Sequence, residues 1–179
     1  MPTVRLLSPP LLFLPLLALP LLTVSAPAQV ARAEPSLAEV MLAVHNRERA
    51  LVGTPPLRWN AQMAAGAADY AAKLVGLTYL EHSPRASRPG QGENLSLGAA
   101  GFHSAEVMAG FWVEEKKDFV NGAFDQVSRT GNWLDVAHYT QMIWRTTTEI
   151  GCAVSTGARR TYLVCRYSPK GNRDGQKSH

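Results

Sequence analysis

The apolar residues of this chain change rhythm several times, and each rhythm predicts a different element. Leu6 to Leu22 is a nearly unbroken apolar run interrupted by Pro9, Pro10, Pro15 and Pro20. From Leu37 onward, Leu37, Val40, Met41 and Val44 recur at helical spacing, and Ser36 with Glu39 three residues later forms a capping-box signature, so a helix starts here. Gly53, Pro55 and Pro56 stop it, because glycine suits the left-handed C-cap and proline cannot continue the hydrogen-bond ladder. After the extended stretch PPLRW, Asn60 caps a second helix whose Met63, Ala67, Tyr70, Ala71 and Leu74 share a face, with alanines that permit close packing. Ser104 caps a third, whose apolar face is set by Val107, Met108, Phe111, Trp112 and Phe119. The period then shortens to two: Ile150, Cys152 and Val154 on one strand, Leu163, Cys165 and Tyr167 on another, with a turn through Gly157. Pairing 152 with 165 sets 150 opposite 167 and 154 opposite 163, and all six side chains fall on one face of a hairpin.

The first apolar run reads as a secretory signal. Arg5 supplies the positive start, and Ala26-Pro27-Ala28 offers a cleavage site, so residues 1–28 are assigned to a signal peptide, with an alternative cleavage after 33 at Ala31-Arg32-Ala33. The prolines would break a spanning helix, which argues against an integral membrane protein. The product is expected to be secreted or extracellular, or periplasmic if the source has two membranes. Export changes the reading of the two cysteines: in an oxidising compartment Cys152 and Cys165 are expected to form a disulfide. At 179 residues and 46% hydrophobic, the chain suits one compact domain, taken as residues 34–172, followed by a solvated polar tail, 173–179. The net charge of +4 is spread without a basic, aromatic-interleaved stripe, so nucleic acid is not an expected partner. No P-loop, dinucleotide fingerprint or H-E-x-x-H occurs in the sequence.

Candidate chemistry gathers around HYTQMIW, residues 138–144. His138 is an ionisable group in an apolar helix-like segment, and it shares one side with Gln141, Met142 and Arg145. Alone it reads as a satisfied core histidine before it reads as a ligand. Helical geometry places Glu115 within roughly 10° of the middle of the third helix's apolar face and Glu114 roughly 90° away. A carboxylate pointing inward requires a hydrogen-bonding, cationic or metal partner. His82, at the end of LTYLEHS, and Glu93, in the glycine-rich GQGENLSLG, sit on a predicted loop, either as exposed and bracing residues or as members of a site. His45 in HNRER reads as a structural helix histidine.

The order HNRERA, LEHS, GENL, WVEEK, HYTQMIWRTTTEIGCAV, YLVCRYSPKGN resembles the CAP superfamily (cysteine-rich secretory proteins, antigen 5, pathogenesis-related 1), or SCP domain, from about Ser36 to Asn172. The resemblance implies an α+β fold, a three-layer α-β-α sandwich with a small antiparallel sheet, and a cavity lined by His82, Glu93, Glu115 and His138. It implies a non-catalytic, monomeric binding protein for a sterol, a fatty acid or a cell-surface partner, with Phe102, Phe111 and Trp112 available to line a lipid groove. A divalent metal such as zinc would be held by His82 and His138, with Glu93 and Glu115 as ligands or orienters. The alternative is a peptidase-like hydrolase using the same four residues through a metal or by acid–base chemistry; Ser83 beside His82 does not by itself make a dyad. Ala137 and Arg173 depart from the family's usual residues at motif edges, and the extra disulfides and cysteine-rich module of plant and animal members are missing. Together with abundant Ala, Arg, Gly and Pro, this points to a bacterial source.

Overall fold

The computed structural model describes residues 34–77 and 79–179. The expected signal peptide, with both cleavage points, lies outside them. Helix α1 spans Leu37–Leu51 behind a complete capping box, in which Ser36 Oγ accepts from Glu39 N and Glu39 accepts from Ser36 N. Gly53, with φ of 69°, turns the chain out of it. A short strand β1, Arg58–Trp59, leads to helix α2, Ala61–Leu74, capped by the Asn60 side chain. Strand β2 (Gly92–Ala99), helix α3 (Ala105–Glu114), helix α4 (Ala137–Met142) and strands β3 (Glu149–Thr156) and β4 (Arg160–Ser168) complete the fold.

The strands form one sheet in the order β1-β3-β4-β2. The hairpin has the register predicted from its period, with Cys152 opposite Cys165, Ile150 opposite Tyr167 and Val154 opposite Leu163. Because side chains alternate across the sheet, each strand feeds two cores. Ile150, Cys152, Leu163, Cys165 and Tyr167 join Met41, Val44, Met108, Trp112 and Met142 beneath α1, α3 and α4. Ala153, Tyr162, Val164 and Leu95 meet Ala67, Ala71 and Leu74 of α2 on the other side. The result is a three-layer α-β-α sandwich. α2 approaches so closely that a Cβ on Gly151 would strike backbone atoms of Asn60, Met63 and Ala64.

Several expectations need correction. The antiparallel sheet is as expected through β3, β4 and β2, and what is added is the two-residue β1, paired in parallel with β3. The segment around Glu93 is an edge strand, not a loop; its Glu, Asn and Ser hide the alternation because both faces are covered. On α3 the buried face is Met108, Ala109 and Trp112, while Val107 and Phe111 are exposed. α4 ends at Met142, so the exposed Arg145 does not share the side of His138. Residues 173–179 are not a free tail: Arg145 N donates to Ser178 O, Phe124 N donates to Gln176 O, and the His179 ring rests on Phe119 with centroids 5.6 Å apart.

Cys152 and Cys165 are disulfide-bonded across the hairpin, with Cα atoms 4.1 Å apart. The bond closes a short loop, and the chain-entropy model assigns such a loop about 3 kcal/mol. Replacing both cysteines with alanine should therefore lower unfolding free energy by about that amount. Urea unfolding of the variant and of the reduced parent checks this; equal midpoints for parent and variant would refute it.

Candidate functional site

β2 places two consecutive side chains on opposite faces of the sheet edge. Glu93 points to the α2 side, where its neighbours are all donors. His82 Nδ1 lies 2.9 Å from Oε1, Ser83 N donates to the same oxygen at 2.9 Å, and Ser83 Oγ donates to Oε2 at 2.6 Å. The guanidinium nitrogens Nε of Arg88 and Arg166 are each 3.6 Å from the carboxylate. Burial by itself would raise the Glu93 carboxyl, but the bonds from His82 and Ser83 and the charge of Arg88 outweigh it and hold the group below its ordinary value. Ser83 Oγ also accepts from Arg88 Nε at 2.9 Å, which makes it a brace for the carboxylate.

Asn94, the next residue, points the other way. Its Nδ2 donates to the backbone carbonyl of His138 and to Tyr167 Oη, both at 3.1 Å. Glu115, on the turn that continues α3, accepts three N–H groups from the start of α4: His138 Nδ1 at 2.6 Å and the backbone N–H groups of His138 and Tyr139 at 3.0 Å. The His138 ring stacks on Trp112 with 6.0 Å between centroids and 17° between planes, and Trp112 Nε1 is itself anchored on Leu95 O. From below, Asn172, in the left-handed region at φ of 50°, accepts from Thr140 and donates to Ala137 O.

The two pairs meet at one cavity of about 720 Å³ whose lining includes His82, Glu93, Asn94, His138, Gln141 and Asn172. Glu115 is not on its wall; it stands behind His138. Each carboxylate occupies an Nδ1, and Nε2 of each ring has no hydrogen-bond partner among the described residues. Part of the wall is apolar, from Phe124, Trp133 and Leu134, and part is charged, with the cations of Arg85, Arg88, Lys170 and Arg173 outnumbering the carboxylates of Glu93, Asp125 and Asp174.

A profile of the cysteine-rich secretory protein family (CAP) matches residues 42–167. The chain belongs to the cysteine-rich secretory protein family. Pathogenesis-related protein 1A of Nicotiana tabacum is 38% identical over 141 residues, which cover 77% of this chain and 78% of that protein. The crystal structure of Na-ASP-1 superposes with a TM-score of 0.70 at 26% identity over 81% of this chain and 41% of that one. The structure of NaASP2 with Zn2+ superposes at 0.67 with 22% identity, over 79% and 84% of the two chains, a likeness of fold.

Within this member of the CAP family, the four candidate residues are arranged as two His–Glu pairs, not one cluster. Among the described residues no group of three or more His, Cys, Asp or Glu side chains is placed to hold a metal ion. Of the side chains expected to line a lipid groove, Trp112 is buried beneath His138, and Phe102 and Phe111 lie exposed and away from the cavity wall. Arg88, Asn94 and Asn172 escaped sequence reasoning because no periodicity marks them, and Ser83 was weighed only as a nucleophile, not as the brace of Glu93. The signal was present only in the short polar words EHS, GEN and KGN, which carry more polar side chains than a turn requires.

His45 is fully buried. Its Nδ1 donates to Met41 O at 2.7 Å, so Nε2 is the acceptor and Tyr167 Oη donates to it at 2.9 Å. A continuous hydrogen-bonded path thus runs from His45 through Tyr167 and Asn94 to the His138 carbonyl. Burial drives the His45 imidazole down to about 4, against the rise from its bond to Met41.

Proposed function

We propose that this chain is an exported binding protein that takes an amphipathic ligand in the cavity between its two His–Glu pairs, with a divalent ion such as zinc joining ligand and protein. The observation that carries the reading is the unpartnered Nε2 on both cavity histidines. A carboxylate on Nδ1 fixes the tautomer and the ring orientation and leaves the Nε2 lone pair available, the relationship found behind metal-bound imidazoles. His82 and His138 would be the protein ligands and Glu93 and Glu115 their orienters, leaving the rest of the coordination to water and ligand oxygen. When bound, the ion supplies a positive centre for an anionic or carbonyl oxygen. Two imidazoles make a more open and weaker site than the three or four ligands of strong zinc sites. The apolar wall of Phe124, Trp133 and Leu134 beside Arg85, Lys170 and Arg173 suits a fatty acid, whose chain and carboxylate match the two surfaces, better than a neutral sterol. Export is supported by the leader reading and by the family's secretory character; no helix among the described residues is long and apolar enough to cross a membrane.

Titration calorimetry of chelator-stripped protein with zinc tests the site. One ion should bind the parent, none should bind His82→Ala or His138→Ala, and Glu115→Gln should weaken binding by about tenfold to a hundredfold. Zinc binding that survives both histidine substitutions would sink the reading. Hydrolysis is the second reading, favoured by imidazoles oriented as a general base requires. It demands peptide cleavage that disappears in Glu115→Gln, and it does not use Ser83, whose hydroxyl is committed to Glu93 and Arg88.

A further inference from the structure

The β2–α3 and β3–β4 turns form one end of the sandwich. Ala99 pairs with Arg160 in the sheet, and Ala100 N donates to Arg159 O at 3.0 Å, so the two turns are hydrogen-bonded side by side. Both arginines are exposed. Phe102 follows Gly101, whose φ of 72° turns the chain, and Phe102 N closes the turn on Ala99 O at 3.1 Å. The Phe102 side chain is 81% exposed. It is nonetheless held in place: the His103 ring lies edge-on between Phe102 and Phe111, with centroid distances of 5.0 and 5.6 Å, and His103 Nδ1 accepts from Ala99 N. Val107, one helical turn before Phe111, is 46% exposed and extends the apolar strip along α3. Glu106, on the first turn of α3, is the acidic neighbour.

We infer that this end of the molecule docks onto an anionic lipid surface, with Phe102 entering the headgroup–acyl boundary and Arg159 meeting the lipid phosphates. A large aromatic side chain held almost fully in water by an ordered turn is unfavourable for an isolated protein and favourable at a membrane interface. Arg159 sets the charge of the partner, because each basic group near an anionic bilayer strengthens attachment by about fivefold. The geometry also favours a bilayer over a folded protein: the feature is a protruding tip on two adjacent turns, whereas a stable protein interface needs about 800 Å² per partner with matched shape. The inference does not depend on the cavity, and it assigns Phe102 and Phe111 a use that lining a groove cannot.

Cosedimentation of the full mature chain with vesicles separates the possibilities. The parent should bind an equal mixture of phosphatidylcholine and phosphatidylglycerol, and bind phosphatidylcholine alone far less. Phe102→Ser should reduce binding to the mixture about tenfold, and Arg159→Gln about fivefold, with thermal unfolding unchanged in both. His138→Ala should bind vesicles as the parent does, which keeps failure of the cavity reading distinct from failure of this one. Absence of parent binding to the mixed vesicles overturns the proposal. So does unchanged binding by Phe102→Ser, which removes the anchor, or loss of binding in His138→Ala, which would move the lipid contact into the cavity.

Discussion

Arg49→Met should cost the fold about 3–5 kcal/mol, the largest loss expected from a single substitution that touches neither the cavity nor the disulfide. Arg49 is 0% exposed and has no carboxylate partner in an ion pair among the described residues. Its guanidinium instead donates to four backbone carbonyls: Nε to Pro55 at 2.6 Å, Nη1 to Met142 at 3.0 Å and Trp144 at 2.9 Å, and Nη2 to Thr147 at 2.9 Å. Helix α4 stops at Met142, and a helix end leaves carbonyls without intrahelical partners. The arginine satisfies those groups and ties the turn after α4 to the end of α1, and a cation at a helix C-terminus is also favoured by the peptide dipoles. Burial lowers the guanidinium to about 10, so it remains charged at neutral pH. Methionine keeps much of the apolar stem but takes the side-chain donor from the carbonyls of Pro55, Met142 and Thr147 and leaves Trp144 O with Thr147 N alone, at about 1–3 kcal/mol for each carbonyl left buried without a donor, before relaxation. Arg49→Lys keeps the charge and loses the planar fork, so it should recover only part of the loss. Urea unfolding of the three proteins measures the series. A loss below about 1 kcal/mol for Arg49→Met would mean that water replaces the guanidinium, contrary to the argument.

The same residue shows where sequence reading stops. HNRER displays Arg49 as one of several charges on a helix, and only the folded chain reveals that the helix turns it inward toward a segment 93 to 98 positions later. The elements set by local chemistry were legible: the Ser36–Glu39 box, the Asn60 and Ser104 caps, the Gly53 stop, and the hairpin whose period fixes its register. The preference for Glu115 over Glu114 also followed from helical angle, and the structure bonds Glu115 to His138. β2 was not legible as a strand, because its identity depends on pairing with β4, and Glu93 and Asn94 look like loop residues until both faces of the edge are covered. The face of α3 was misjudged for a related reason. Val107 and Phe111 satisfy a helical stripe as well as Ala109 does, and only the position of the sheet decides which stripe is buried. The four candidate site residues were each identifiable, but their arrangement as two pairs depends on Asn94, Arg88 and Trp112, whose roles are tertiary.

Acid should weaken this protein in a window set by His45. The folded imidazole titrates at about 4, whereas an unfolded histidine titrates near 6.5. Between those values the unfolded chain binds more protons than the folded one, so unfolding free energy rises with pH across the window. The contribution is fully present above about 6.5 and is lost progressively as pH falls toward about 4, for a total of about 3 kcal/mol. Glu93 acts in the same direction at lower pH: its carboxyl is held below the ordinary value, so its share is present above that value and disappears as pH falls through the depressed one. Comparing the parent with His45→Gln separates the two, since Glu93 titrates in both. Their stability difference, read from urea midpoints, should narrow as pH falls from about 6.5 to about 4, and a difference independent of pH would remove His45 as the cause. Protonation has a local consequence as well. His45 Nε2 then carries a proton and can no longer accept from Tyr167 Oη, which also receives the Asn94 amide that holds the His138 carbonyl. Zinc affinity at His138 should therefore fall more steeply with acid in the parent than in His45→Gln, because only the parent carries the buried titrating group at the far end of that hydrogen-bonded path.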